Sequence, residues 1–482
     1  MQRFTVKKSD IEKRWDPYYF QPTLVNLEAK VKAKTTLRLR DFARSMAGGA
    51  TPLKSEGDQH YAEAKDGIPF IRVQNLSTTG SLNLSDVKHI TKTTHEGLLA
   101  RSRLNGGELL VKITGVGRMA IASVVPEGFS ANINQHIVAI KTANIEQSKA
   151  LAAYINLDFV EQLASRRATG GTRPALDYPA LLSIPIIEDA RILTRMQAAH
   201  RNMLELESKA THLLAEVQSV MYRELALPRM NMARIPLKER IFSVSAGQLS
   251  GNIFDPKTHA PRSVALLKSL AHSKFPVAQL REVITHRMAG DWGEDEGFED
   301  DAEEYEKRLV IRGTEFDNEL NLRIENGREK YRKVKVEKLN RMQIEVGDLL
   351  IEKSGGSPDQ PVGRVAILEG ALLQSQSICY SNFVEKIKPD PAKVLPTYLF
   401  HYLRFVHAIG VTDLLQSQTN GIRNLMIHRY LSLPVSLPTL AKQADIVAEI
   451  AGLQNEAVAL RAKAKHVLDT AKREVEKVIL GD

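Results

Sequence analysis

Asp16-Pro17-Tyr18-Tyr19 stands one residue away from the Asp-Pro-Pro-Tyr with which amino-methyltransferases hold a flipped base. Methyl transfer by this chain would also need a glycine-rich turn between a strand and a helix to hold adenosylmethionine. The best candidate, Gly115-Val116-Gly117, is followed by RMAIASVV, which reads as a further strand. The thirteen histidines form no close ligand spacing with the single cysteine, Cys379, so no metal site is expected. One cysteine also excludes a disulfide framework and points to a reducing, cytoplasmic setting.

The Asp-Pro stretch has a second copy. WDPYYFQPTLVNL at 15 to 27 is answered by FDPKTHAPRSVALL at 254 to 267, each reading Asp-Pro, four residues, Pro, at an offset of 239. GGELLVKITGVGRMAIASVVPEG at 106 to 128 meets VGDLLIEKSGGSPDQPVGRVAILEG at 346 to 370, with Glu108 facing Asp348. ATGGTRPALDYPALLSIPI at 168 to 186 meets QTNGIRNLMIHRYLSLPV at 418 to 435, with Gly171 facing Gly421 and Arg173 facing Arg423. Features in one order at slowly drifting offsets mark a tandem duplication. The second copy keeps Asp255-Pro256 but continues Lys-Thr-His, with no ring to stack on a base. The shared Asp-Pro is therefore expected to be a turn, with Asp accepting backbone N–H groups and Pro fixing φ. Glu352-Lys353 after Asp348 hints at a nuclease signature, but that chemistry needs a residue between Glu and Lys. The first copy, moreover, carries Lys112 where Glu352 stands. No catalytic residues are expected.

Charge is unevenly spread. Residues 291 to 306 carry ten acids and no Lys or Arg within a total of +9, which leaves the rest of the chain at +19. The acidic block reads as a solvated loop and the basic body suits a polyanion. No run of about 18 apolar residues is present, so no membrane span is expected, and the N-terminus MQRFTVKKSD lacks the apolar region of a signal peptide.

Each copy ends in a long heptad-patterned stretch. In the first the seam reads Ile192, Met196, Ala199, Met203, Leu206, Ala210, Leu213, Val217, Val220. In the second it reads Ile446, Ile450, Leu453, Ala457, Leu460, Ala464, Val467, Ala471 and, after one skipped step, Val478. Sustained heptads argue for a coiled coil, each helix being the other's obvious partner. The alternative is that each helix packs on its own globular half. Short β-rich runs such as IPFIRVQNL, GELLVKI and HIVAIK, with RLVIRGTEF, DLLIEK and GRVAIL, precede helical LAAYINLDFVEQLASR and LPTYLFHYLRFVHAI. The expectation is mixed α/β recognition domains in tandem, linked by two long helices forming an antiparallel coiled coil. Its parts are a first domain at 1–187, a helix at 188–227, a second domain at 228–437 and a helix at 438–482.

If the polyanion is duplex DNA, the coil is a ruler. Four heptads span roughly 42 Å at 1.5 Å per residue, against about 34–36 Å for one duplex turn. Two unlike heads would then read an asymmetric, split site. Base readout needs forked or amide side chains at loop tips, Arg for guanine and Asn or Gln for adenine. In the first head the candidates are Arg72, Gln74, Asn75, Lys112, Thr114, Arg118, Arg166, Arg167, Thr169 and Arg173, with Gly170 and Gly171 letting backbone N–H groups approach phosphate. In the second they are Lys353, Ser354, Arg364, Gln418, Asn420 and Arg423. Arg173 and Arg423 would be a phosphate clamp common to both.

With these residues assembled, the chain resembles the specificity (S) subunit of a type I restriction-modification enzyme. The likeness rests on the paired GELLVKITGVGRMAIA and GDLLIEKSGGSPDQPVGRVAIL, on TGGTRPALDYPALLSIPI, and on LSLPVSLPTLAKQADIVAEI, which opens the second coil. It covers nearly the whole chain, through order and duplication rather than through one diagnostic motif. The resemblance implies two target-recognition domains, two helices in an antiparallel coil, and no catalysis of its own. It further implies two docked methyltransferase subunits that supply adenosylmethionine and methylate adenines, with room for translocase-nuclease subunits. Two stretches depart from it, the acidic segment at 291–306 and SPDQP at 357–361. A single-chain methyltransferase and a coiled-coil scaffold without a DNA role are the competing expectations.

Overall fold

The computed structural model describes residues 4–8, 11, 14–53, 55, 57–84, 86–229, 241–249, 255–297, 304–316, 322–324, 327–356, 361–419 and 422–481. Both copies begin as the Asp-Pro pair dictates. Asp16 Oδ1 accepts the N–H of Tyr18 and Asp255 Oδ1 that of Lys257, each at 3.0 Å. Five residues after each prolyl turn begins, Pro22 and Pro261 open the helices Pro22–Lys32 and Pro261–Ser269. Proline suits this first helical position because its missing N–H would have had no partner there. Tyr19 is held between the guanidinium groups of Arg14 and Arg166, 4.3 and 4.1 Å from its ring centre. Its ring is committed to the protein and not offered to a base.

The chain forms two compact units, residues 1–208 with 460–482 and residues 209–459. Each contains the same pair of sheets. In the first unit Ser45–Gly48, Ile137–Lys141, Leu109–Lys112 and Ala122–Val124 lie side by side in that order, all antiparallel. In the second, Ile284–Ala289, Val384–Pro389, Leu349–Glu352 and Val365–Ile367 repeat the order and the directions. The register matches as well: Leu109 faces Ile140 and Val124, and Leu349 faces Ile387 and Ile367.

The companion sheet is built around Ile68–Ile71, antiparallel to Lys88–Ile90 and parallel to Ala131–Ile133. Tyr305–Ile311 stands in the same relation to Tyr331–Lys335 and Ile378–Tyr380. The first unit adds the short strands Tyr61–Ala62 and Arg103–Leu104. The duplication read from the sequence is thus a duplication of topology.

The helical run expected from Leu151 to Arg166 is broken in two, Ile145–Ile155 and Asp158–Arg167. Asn156 is the cause. Its Oδ1 accepts the N–H of Ala122 at 3.0 Å and its Nδ2 donates to the Ala122 carbonyl at 2.8 Å, so it ties the helix end to a strand. In the second unit Pro396–Ala408 is one helix. Equivalent tyrosines anchor the two units' helices: Tyr154 donates to Pro185 O at 3.1 Å and Tyr402 to Pro434 O at 2.6 Å.

The two long helices run Ala190–Leu225 and Leu440–Leu480, and each contributes to both units. Inside the first unit, Ile192, Met196 and Ala199 are buried together with Leu468, Ala471, Val475 and Ile479, in one core with Leu109, Tyr154 and Leu163. Arg195 pairs with Glu474 at 2.6 Å and Glu207 with Arg461 at 3.8 Å, which sets the two helices antiparallel there. Inside the second unit, Val220, Met221 and Leu225 share a core with Ile446 and Ile450, while Arg223 pairs with Glu449 and Lys442 with Glu224. Of the expected seam, Leu206, Ala210, Ala457 and Ala464 are buried, while Met203, Leu213, Val217, Leu453, Leu460 and Val467 are half-buried.

Val478 is a correction: it is half exposed, and the seam ends instead on Val475 and Ile479. From Ala471 onward the apolar positions step by four. The last turns therefore follow the helix's own period onto the globular core rather than the heptad period of a two-helix seam. Coiled-coil packing and packing on a globular half, alternatives in the sequence, coexist in each unit.

Ala464 has no exposed surface, so Ala464→Leu is expected to overpack the seam and cost about 1–3 kcal/mol, read as a lower urea midpoint. Val478→Ala should stay within about 0.5 kcal/mol. His401, buried on the helix Pro396–Ala408, has its pKa drawn down from 6.5 to about 4, first by burial and then by the charge of Arg404. The unfolded chain therefore takes the proton first. Stability from this group is whole above about pH 6.5 and lost as pH falls toward 4, roughly 3 kcal/mol in all. Urea titrations across that window, wild type against His401→Leu, should show the slope flattened in the variant.

Candidate nucleic-acid interface

In each head the two sequence segments singled out as reading loops meet. In the first, the loop that follows the strand Leu109–Lys112 is strapped to the hairpin at 168–175 by backbone bonds. Gly115 donates to Pro174 O at 3.0 Å, and Leu176 donates to Ile113 O at 2.8 Å. Thr169 and Ala175 exchange N–H···O bonds of 2.8 and 2.7 Å across the hairpin. Gly170 turns the tip at φ +95°, where a Cβ would lie 3.0 Å from Arg173 O, so glycine is required by both conformation and space. The tip presents Thr169, Gly170, Gly171 and Arg173 to solvent, beside exposed Val116. Arg173 has no side-chain hydrogen bond or ion pair among the described residues, and Thr114 bridges to Ala175 beneath it.

In the second head the same place holds a three-stranded sheet of Ser354–Gly356, Ile422–Leu425 and Gln416–Thr419. Ser354 Oγ donates to Asn424 Oδ1 at 2.6 Å. Asn420, the side chain of Gln418 and residues 357–360 of the SPDQP stretch lie outside the described residues. The expected equivalence of Arg173 and Arg423 slips by one. Thr114 opposes Ala175 and its counterpart Ser354 opposes Asn424, so Ile422, not Arg423, occupies the place of Arg173. Arg423 instead holds Asp413 at 3.1 Å, an acid it shares with Lys257.

Several candidates prove to be the supports of these loops rather than their tips. Lys112 is buried and donates to the carbonyls of Val116 and Arg118 at 2.8 and 2.9 Å, shaping the loop from below. Burial draws its pKa below the ordinary lysine value. Arg118 reaches Asp158 at 2.6 Å and the carbonyls of Asn156 and Leu157. Arg166 and Arg167 are buried and both hold Glu28, the latter at 2.7 Å. In the second head Arg364 is buried against Glu352, with bonds of 2.9 and 2.7 Å, and donates to the carbonyls of Phe316 and Gly313 at 2.8 Å. Lys353 sits 3.5 Å from Glu385, and buried Lys386 holds Asp348 at 2.8 Å. The acids of the apparent nuclease signature are therefore neutralised by internal cations.

In the cluster Arg72, Gln74, Asn75 only Asn75 is buried, while Gln74 is exposed. Asn75 is buried, accepts the Arg72 N–H at 2.9 Å and donates to the carbonyls of Asn83 and Asp86; Gln74 and Arg72 both meet Asp86. Residue type alone does not separate these positions: a buried Arg with a carboxylate partner and an exposed Arg look the same in a sequence.

In the second head these parts surround an open cavity of about 780 Å³. Trp292, Phe316, Phe383, Arg312, Arg328 and Ser354 are among its walls, over the Glu352–Arg364 pair. Arg312 went unnoticed in the sequence, although IRVQNL at 71–76 and IRGTEF at 311–316 repeat at an offset of 240. Each forms the same reciprocal cap, Arg72 with Asn75 and Arg312 with Glu315. The first expectation for 291–306 also needs correction: its described acids are not simply solvated. Asp291 pairs with Lys338, Asp295 with Arg332, Glu296 with Lys307 at 3.1 Å and Glu304 with Lys335 at 2.8 Å. Among the described residues no group of three or more His, Cys, Asp or Glu is placed to hold a metal ion, and no helix is long and apolar enough to cross a membrane. The exposed glycines, hydroxyl and cation of the first head's tip, and the cations and aromatic walls of the second head's cavity, are each groups able to meet a polyanion with planar groups.

No family model and no curated protein matches the chain. Among solved structures it is similar to a chain of a type I R-M system studied for its complex assembly and conformational transition, at 15% identity and TM-score 0.41 over 92% of this chain and 96% of that one. It is also similar to the HsdS subunit from Thermoanaerobacter tengcongensis, at 14% and 0.33 over 92% and 95%. A third is the type I restriction-modification system S subunit from M. genitalium, at 12% and 0.32 over 92% and 94%.

Supports and tips separate experimentally. Arg364→Ala leaves Glu352 buried without its partner and is expected to cost about 3–5 kcal/mol in urea unfolding. Arg173→Ala should change stability by less than about 0.5 kcal/mol. It should still weaken binding to duplex DNA.

Proposed function

We propose that the chain is the non-catalytic DNA sequence-specificity subunit of a type I restriction-modification complex. Each head reads one half of a bipartite, asymmetric site on double-stranded DNA. Two docked methyltransferase subunits provide adenosylmethionine and the adenine chemistry, and translocase-nuclease subunits complete the restricting form. The observation that carries the reading is that one head, with the same strand order and directions in its four-stranded sheet, is made twice in one chain with different residues at its loop tips. Duplication of the scaffold with divergence of the tips is what two unlike half-sites require. The paired segments that resemble specificity subunits lie on these loops and at the start of the second long helix.

The residues assigned to DNA fall into two roles on this reading. Thr169, Gly170, Gly171 and Arg173 in the first head, and the hairpin between Gln416 and Leu425 in the second, approach the duplex. Lys112, Arg118, Arg166, Arg167 and Arg364 hold those loops in shape. Methyl transfer by the chain itself is disfavoured at two points. Gly115 and Gly117 have positive φ but lead into the strand Ala122–Val124 and not a helix, and Tyr19 is clasped by two arginines.

The test is co-purification with the products of neighbouring genes, followed by mapping of methylated adenines. Exchanging residues 1–187 for those of another such protein should change one half-site and leave the other, and inserting one heptad into each long helix should lengthen the gap between halves. A chain that binds labelled adenosylmethionine alone would point to an enzyme. A chain whose complexes ignore duplex DNA at low salt would point to a scaffold.

A further inference from the structure

The break between the helices Ile145–Ile155 and Asp158–Arg167 is held from a distant part of the chain. Leu157, which precedes the second of them, offers its free N–H groups no side-chain acceptor. One oxygen of Glu476 does so instead: Oε1 accepts the N–H of Asp158 and that of Phe159, the latter at 3.3 Å. Glu476 stands on the long helix Leu440–Leu480, in the turn whose Val475 and Ile479 enter the first core. Burial pushes its pKa above the ordinary glutamate value, and the two backbone bonds oppose that shift. A carboxylate partly withdrawn from water needs such partners. The second unit has no such break. The offset of 254 that pairs Met196 with Ile450 also pairs Tyr222 with Glu476. Counted from the equivalent Tyr154 and Tyr402, Phe405 stands where Leu157 does. Tyr222 packs edge-on against Phe405, ring centres 4.9 Å apart, on a helix that runs through unbroken. Where there is no helix start to cap, a ring replaces the carboxylate.

We infer that Glu476 is a positioning residue for the first head's reading loops, so that the last turns of the second long helix help to set the specificity of one half-site. The inference rests on the DNA-reading function proposed above and adds to it a residue outside the loops. Two paths lead from Glu476 to the tip. The helix it caps carries Arg166 and Arg167, both held by Glu28, and ends directly before the hairpin at 168–175. The residues it fixes also anchor the other loop, because Arg118 bonds the Asp158 carboxylate at 2.6 Å and the carbonyls of Asn156 and Leu157 at 2.7 and 3.0 Å. The two loops are then strapped together by Gly115 on Pro174 and Leu176 on Ile113. Without the cap the first helical turn loses its acceptor, Arg118 loses a fixed platform, and both loops gain freedom at once. A reading site tolerates displacements of only about 0.5 Å before its geometry is lost. Every residue of this link belongs to the first unit, so the second head's half-site is not affected. Val475, one residue away, packs in the core but makes no such link.

The experiment compares wild type, Glu476→Ala, Glu476→Gln and Val475→Ala, each as the full-length chain co-purified with its partners, by mapping methylated adenines. Glu476 is only half-buried and its removal leaves Val475 and Ile479 packed, so Glu476→Ala is expected to fold. It should raise methylation at sites mismatched in the half that follows residues 1–187 by about tenfold relative to cognate sites. Mismatches in the other half should stay as well rejected as before. Glu476→Gln should restore the wild-type ratio, because a single amide oxygen can accept both N–H groups. Val475→Ala should lower the urea midpoint and leave both ratios alone, which separates positioning from stability. Relaxation of both halves together, or no more relaxation in Glu476→Ala than in Val475→Ala, overturns this inference alone. Hydrogen exchange of the full-length chain reads the same link without DNA. The amides of Gly115, Thr169, Ala175 and Leu176 should exchange faster in Glu476→Ala than in Val475→Ala, and equal rates overturn the inference. Faster exchange with no methylation that depends on the chain overturns the DNA-reading function and leaves the mechanical link standing.

Discussion

Each head is closed by stretches of both long helices, which leave it in opposite directions along the sequence. In the first unit Ile192, Met196 and Ala199 would face water without Leu468, Ala471, Val475 and Ile479, residues that follow some 270 positions later. In the second, Val220, Met221 and Leu225 depend in the same way on Ile446 and Ile450. Full burial of one such side chain contributes about 1.5–3 kcal/mol. A head made of its own copy alone would therefore expose a wide apolar strip. Everything functional is mounted on that constraint, because the loops that present Arg173 and Ile422 rise from strands packed in the same two cores.

Beneath the tips, the copies have kept geometry and exchanged chemistry. Glu108 accepts the N–H groups of Asn105 and Gly106 at 3.0 and 2.9 Å, and its counterpart Asp348 accepts the N–H of Glu345 at 2.9 Å while holding Lys386. Four residues on, Lys112 bonds two carbonyls of its loop, whereas Glu352 binds Arg364. A cation that gathers carbonyls and a carboxylate that gathers a guanidinium both satisfy buried charge, yet they shape different loops above them. Opposite solutions at one position let one scaffold carry two unlike sets of loops.

The organisation legible in the sequence was that carried by repetition and period. The Asp-Pro turns, the strand runs, the long helices and their seams all follow from local preference and apolar spacing, and the duplication multiplied each signal by two. Where local signals failed, a long-range contact had intervened. Asn156 ended a helix because Ala122 offered it two hydrogen bonds, and the last turns of the second long helix left the heptad because a globular core lay beneath Val475 and Ile479. The candidate site was legible as two pairs of segments, 112–118 with 168–175 and 352–364 with 416–425, which the fold does bring together.

The sequence by itself determined that one mixed α/β head occurs twice and that helices with matched apolar seams follow each. Only the tertiary structure decided which cations face outward. Arg173 and Arg166 are seven residues apart and chemically alike, but one tops a glycine turn in solvent while the other is buried on Glu28. The physical reason is that residue type sets what a charge can bond, whereas exposure and partner are set by chain segments far away in sequence. Glu28 lies 138 positions from Arg166, and no local pattern spans that distance.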